Sequence, residues 1–176
     1  MKSKVIIMFM TLAILGGCST TEVADYHDEK PVLDVRSYFN GTIDAWGMFQ
    51  DRSGKVVKRF KVVVDASWKG DVGTLDEHFN YSDGTTQRRV WTITRSADGK
   101  YLGRADDVVG DALGEASGNA LRWRYVLALP VDGKVYNVSM NDWMYQMDER
   151  TLLNRTTMTK FGFRVGEITL SFTKRQ

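Results

Sequence analysis

Val56-Val57-Lys58-Arg59-Phe60-Lys61-Val62-Val63-Val64-Asp65-Ala66-Ser67-Trp68 decides the fold. Phe60, Val62, Val64, Ala66 and Trp68 occupy one phase, and Arg59, Lys61, Asp65 and Ser67 the other. Side chains of a strand alternate between two faces, so this period describes a half-buried antiparallel strand. A helix would need its apolar residues three and four apart. Leu121, Trp123, Tyr125, Leu127 and Leu129 repeat the pattern against Arg122 and Arg124, and Ile168, Leu170 and Phe172 repeat it again.

Turn dipeptides punctuate the chain on both sides of that stretch. Ser53-Gly54, Lys69-Gly70-Asp71, Asp83-Gly84, Asp98-Gly99, Gly118-Asn119 and Asp132-Gly133 come at short, even intervals. Sixteen glycines and two prolines suit strands joined by tight turns. The predicted strands are Thr42–Gln50, Val56–Trp68, Thr74–Tyr81, Thr85–Arg95, Tyr101–Ala105, Asp111–Ala116, Ala120–Leu129, Val135–Met147, Leu152–Phe161 and Glu167–Lys174. About ten hairpin-connected strands in an open sheet would leave two long edges, which closure removes. The expectation is an all-β, antiparallel up-and-down barrel, with a two-sheet sandwich as the alternative. Leu33 to Gly41 predicts one short helical turn ahead of it, capped by Asp34.

The N-terminus has a different grammar. Lys2 and Lys4 precede an apolar run from Val5 to Leu15, too short to span a bilayer, and then Leu15-Gly16-Gly17-Cys18. This resembles a bacterial lipoprotein signal, cut between Gly17 and Cys18. The thiol of Cys18 would then carry diacylglycerol, and its freed amine an acyl chain such as palmitate. The expected organisation is a signal peptide over 1–17, a lipid-anchored tether over 18–31 and a barrel domain over 32–176. Ser19, rather than Asp, follows the cysteine. By the same resemblance this implies the outer membrane, on its periplasmic face.

The 24 basic and 22 acidic residues differ only by the two lysines of the leader. A near-neutral remainder leaves no nucleic-acid footprint. Cys18 is the only cysteine, so no intramolecular disulfide and no cysteine-ligated metal is expected. His27 and His78 have no metal-ligand spacing, and Asp106, Asp107, Asp111 and Glu115 lack that of a calcium loop. No metal, cofactor or catalytic constellation is therefore predicted. A small enzyme using Asp106 or Asp142 as acid or base is a third reading, which no spacing supports.

Phe39-Asn40-Gly41, Ala45-Trp46-Gly47-Met48-Phe49-Gln50-Asp51-Arg52-Ser53-Gly54, Ala105-Asp106-Asp107-Val108-Val109-Gly110, Gly118-Asn119-Ala120-Leu121-Arg122-Trp123 and Asp142-Trp143-Met144-Tyr145 give the chain a family likeness. They resemble a domain-of-unknown-function family of small Gram-negative lipoproteins, itself similar to lipocalin-like (calycin) barrels. The resemblance implies a barrel and an envelope compartment, and lipid handling as an expectation. It supplies no activity.

Charge among aromatics marks the expected site. A hairpin about Asp132-Gly133 brings Arg122 or Arg124 near Asn141–Trp143, with Arg155 on the next strand. One reading makes Arg124, Asp142 and Arg155 an inward polar patch that orients a ligand head group. Trp46, Trp91, Trp123, Trp143 and Tyr145 then line the wall. The other makes the charges an exterior ladder and the tryptophans a dry core. The leading functional expectation is a binder or carrier of a lipid, a fatty acid or another apolar molecule. The alternative is a solid-packed, non-enzymatic interaction protein of the envelope, its protein partner unspecified.

Overall fold

The computed structural model describes residues 20–176. Ten antiparallel strands close into a barrel in which each strand pairs with its sequence neighbours and the first pairs with the last. They are β1 Gly41–Asp51, β2 Val56–Lys69, β3 Val72–Tyr81, β4 Thr86–Arg95, β5 Tyr101–Arg104, β6 Ala112–Ser117, β7 Ala120–Val131, β8 Lys134–Gln146, β9 Thr151–Lys160 and β10 Phe163–Lys174. The sandwich is excluded by closure, since β1 meets β10 from Ile43 opposite Lys174 to Asp51 opposite Gly166. The widest departure from the predicted strands is β10, which begins at Phe163 rather than Glu167 and absorbs a bulge between Arg164 and Gly166.

Register puts the apolar phase inside. Val62 lies opposite Phe79, Leu75 opposite Trp91, and Leu121 opposite Met144. The outward phase carries Arg59, Lys61, Asp65, Arg88, Arg122, Arg124 and Arg155, which suits water rather than lipid hydrocarbon. Among the described residues no helix is long and apolar enough to cross a membrane.

One end of the barrel is plugged. Helix α1, Val35–Tyr38, is capped by Asp34, whose Oδ1 accepts from Ser37 N at 2.8 Å. So short a helix has little stability of its own and depends on packing. Leu33, Val35, Tyr38 and Phe39 bury into the core beside Ile43, Ala66, Leu152 and Phe172. Trp68 Nε1 donates to Phe39 O at 2.7 Å, and Tyr38 Oη donates to Arg150 O at 2.9 Å.

Part of the expected tether, 18–31, lies against the outside wall. A 3-10 turn, Val23–Tyr26, packs on β6 and β7. Glu22 pairs with Arg122 at 3.0 Å, and the Tyr26 ring sits 5.7 Å from Trp143 and 5.3 Å from Tyr145. Gly118 makes this approach possible, because a Cβ there would overlap Tyr26 O. Among the described residues, the two core clusters run from Leu33 to Phe172. The signal, Gly17 and Cys18 fall outside the described residues.

Candidate functional site: a charged centre in an aromatic lumen

The barrel encloses a cavity of about 130 Å³. Its apolar lining includes Phe39 from the plug, Phe60, Phe79, Trp91, Trp123 and Leu170. Trp91 meets Trp123 edge to face at 5.8 Å and Tyr125 at 5.3 Å. Two glycines make room for Trp123. A Cβ on Gly103 or Gly114 would stand 2.3 or 2.2 Å from its ring.

Charges converge from three strands and one loop. Glu77 of β3 lies directly opposite Arg89 of β4, with Oε2 3.7 Å from Nη1. Asp107 arrives from the loop between β5 and β6. Those two strands are the shortest of the barrel, so the wall between β4 and β7 is notched above them. The loop folds onto β7, with Val109 N donating to Val126 O at 2.9 Å and Ala128 N to Asp107 O at 2.8 Å. From there Asp107 spans the notch to Arg89. It accepts from Nε at 3.0 Å on both oxygens and from Nη2 at 2.7 Å on Oδ2. Asp142 of β8 completes the centre, facing Trp123 on one side and Thr156 on the other.

This centre is incompletely neutralised. Asp142 is 7 % exposed, and its Oδ1 has no hydrogen-bond partner; neither has Glu77 Oε2. Thr156, opposite Asp142 on β9, has its hydroxyl 3.2 Å from Asn154 Oδ1, to which it donates. Burial pushes the Glu77 carboxyl up to about 7; Arg89 and, more weakly, the Trp91 indole oppose this while Asp107 and Asp142 add to it. Burial likewise pushes Asp142 to about 7, opposed in part by Thr156 and Arg89. Burial and the Asp142 charge raise the Tyr125 phenol well above its ordinary value. Burial alone would lower Arg89, but Glu77 and Asp107 outweigh it and hold the guanidinium charged.

The residues expected to line a site divide by strand phase. Trp91, Trp123 and Asp142 face the lumen. Trp46 does not: it is 51 % exposed on the outer wall, near Lys61. Trp143 and Tyr145 stack on each other outside, beneath Tyr26. Arg124 and Arg155 also point outward, toward Glu115 at 3.8 Å and Glu167 at 2.8 Å. Arg124, Asp142 and Arg155 therefore form no common patch, because Arg124 is one residue out of phase with Trp123, and Arg155 lies opposite Trp143 rather than Asp142. The lumen's cation is Arg89, which the sequence reading overlooked together with Glu77 and Tyr125. A signal was there: Glu77 interrupts Leu75 and Phe79, and Arg89 leads into Trp91 and Ile93, so both charges stand on an apolar phase.

The acidic run is dispersed among separate cations. Asp107 takes Arg89, Asp111 takes Arg104 at 2.6 Å, and Glu115 takes Lys100 at 3.1 Å. Among the described residues no group of three or more His, Cys, Asp or Glu is placed to hold a metal ion.

An antiparallel up-and-down barrel around a part-filled aromatic lumen is the architecture of the lipocalin-like class. Within it, the chain belongs to the family described as "Protein of unknown function (DUF3833)", whose model matches residues 12–174. No curated protein matches the sequence.

Proposed function

We propose that this protein is a lipoprotein anchored through Cys18 to the periplasmic face of the outer membrane, and that its barrel binds an apolar small molecule or part of a lipid chain. Leu15-Gly16-Gly17-Cys18 supports the anchor, and the family match extends over that stretch. The lumen carries the binding reading: a cavity of about 130 Å³ remains among Phe60, Phe79, Trp91, Trp123 and Leu170. Apolar cavities of this order, roughly 150 Å³, admit a molecule the size of benzene. A longer chain needs the plug or the rim to yield.

Protein purified from its host and stripped of its anchor is expected to release a bound apolar molecule to mass spectrometry. A six-carbon alcohol is expected to quench Trp91 and Trp123 saturably. Ligand-free spectra together with unchanged fluorescence would refute the binding reading. Metabolic labelling with palmitate, abolished by Cys18→Ala, tests the anchor separately.

A second reading has one observation in its favour. The cavity is smaller than the roughly 300–1,000 Å³ of ordinary ligand pockets. On that reading the barrel is a rigid support and its outer surface docks on another envelope component. Leu170→Trp, which fills the lumen, separates the two: it abolishes uptake and phenotype if the lumen is used, and leaves the phenotype intact if only the surface is.

A further inference from the structure

The lumen charges specify more than an apolar occupant. Glu77, Asp142 and Arg89 line the lumen, and Arg89 pairs with Glu77 and, on its other edge, with Asp107 of the notch loop. Arg89 is already committed. Its Nε and Nη2 are held by Asp107, and its Nη1 faces Glu77. Asp142 has no cation of its own, and Asp142 Oδ1 and Glu77 Oε2 are buried acceptors without donors. A buried acceptor left unpaired is costly, and a buried carboxylate without a counter-charge more so. The unmet demand is therefore for hydrogen-bond donors and positive charge.

The rings beside these oxygens favour the same chemistry. Aromatic faces carry negative potential and attract cations. Arg89 already exploits this, its guanidinium lying 5.7 Å from the Phe79 ring and 6.0 Å from that of Trp91. A fatty-acid carboxylate would instead add a further acid to the centre.

We propose that the lumen selects a ligand with a positively charged, hydrogen-bond-donating head group, an organic ammonium. The head group is held by Asp142 and Glu77, and its apolar part lies against Trp91, Trp123 and Phe60. The inference rests on the reading of the barrel as a binder of apolar molecules and sharpens it. Arg89 and Asp107 then act as positioning residues, fixing Glu77 and closing the notch between β4 and β7.

The titratable and polar groups lining the cavity at the head-group position are Glu77 from β3, Arg89 from β4, Tyr125 from β7, Asp142 from β8 and the uncharged Asn154 and Thr156 from β9, with Asp107 of the β5–β6 loop behind Arg89. Of these, the two carboxyls that lose protons near neutrality are Glu77 and Asp142. Ammonium binding therefore strengthens as pH rises from about 5 to 8, and carboxylate binding weakens over the same window.

The test compares three probes of one length on the purified full chain: n-hexylammonium, n-hexanol and n-hexanoate, read by tryptophan quenching and by NMR shifts of the indole N–H groups. At pH 8 the ammonium is expected to bind about ten-fold more tightly than the alcohol, and the hexanoate most weakly. Asp142→Asn is expected to remove about that ten-fold advantage of the ammonium over the alcohol. Glu77→Gln serves the same purpose should Asp142→Asn fail to fold. Hexanoate or hexanol binding as tightly as the ammonium overturns the head-group inference and leaves the apolar-binding reading standing. Failure of all three probes to bind overturns the apolar-binding reading, and the inference with it.

Discussion

The two ends of this barrel solve opposite problems. At the plugged end, chain that precedes the first strand turns inward: Val35 and Phe39 enter the lumen, and Tyr38 and Trp68 fasten the plug through backbone carbonyls. At the other end the hairpins project outward. Phe161 is 88 % exposed and Phe163 76 %, at the tip joining β9 to β10, with Val131 and Val135 exposed on the neighbouring hairpin. The core follows suit. A large cluster fills the plugged half, while Leu127, Val138, Met140 and Met158 form a smaller one toward the rim. Between the halves sit Glu77, Arg89 and Asp142. The plug excludes water from one side of the charges, and Asp107 screens the notch on the other. A sealed end raises the carboxyl pKa values by desolvation; the open end is the route the proposed ligand would take.

Substitutions can break or sharpen that contrast. The largest effect is expected at the plug. Phe39→Ala removes a ring from the buried cluster and should cost about 3–5 kcal/mol in denaturant unfolding. A loss under about 1 kcal/mol would show that the plug merely rests on the barrel.

Next comes the pH response of the ligand-free protein. Glu77 and Asp142 hold protons more tightly folded than unfolded. Between about pH 4 and 7 the native state thus binds more protons, and stability falls as pH rises. The ceiling is about 3 kcal/mol for Glu77 and about 4 kcal/mol for Asp142. Asp83, held at about 2 by Thr85 and Lys58, works in the opposite sense: its contribution is present above about pH 4 and is lost below. Unfolding midpoints should therefore be highest near pH 4–5, and Asp142→Asn should flatten the decline above it. A midpoint that climbs steadily to pH 8 in the unmodified chain would contradict the buried-acid picture.

A smaller change is expected from Tyr38→Phe, which removes the bond to Arg150 O and should cost about 1 kcal/mol. The smallest is expected at the rim. Phe161→Ser should alter stability by under about 0.5 kcal/mol, since the ring is exposed. A loss as large as that of Phe39→Ala would mean the rim is packed after all.

Much of the fold was legible residue by residue. The two-residue period of Phe60 to Trp68 and of Leu121 to Leu129 places those side chains inside, as the register shows. Regular hairpin turns imply up-and-down order, and Asp34 caps the helix it was expected to cap. The site was legible only in part. Trp91, Trp123 and Asp142 stand in the lumen, whereas Trp46, Trp143, Tyr145, Arg124 and Arg155 stand outside it. Proximity in one hairpin had suggested a shared patch, but in a sheet adjacent residues point apart.

The sequence alone determined which side of each strand meets water, because alternation is a local property of extended chain and needs no knowledge of neighbours. Tertiary structure decided which inward residues meet one another. Glu77 and Arg89 come together through register, Asp107 reaches them only because β5 and β6 are short, and Asp142 joins because closure curves β8 around to the same hollow. Whether a charge finds a partner depends on how the sheet closes, and no single strand encodes that.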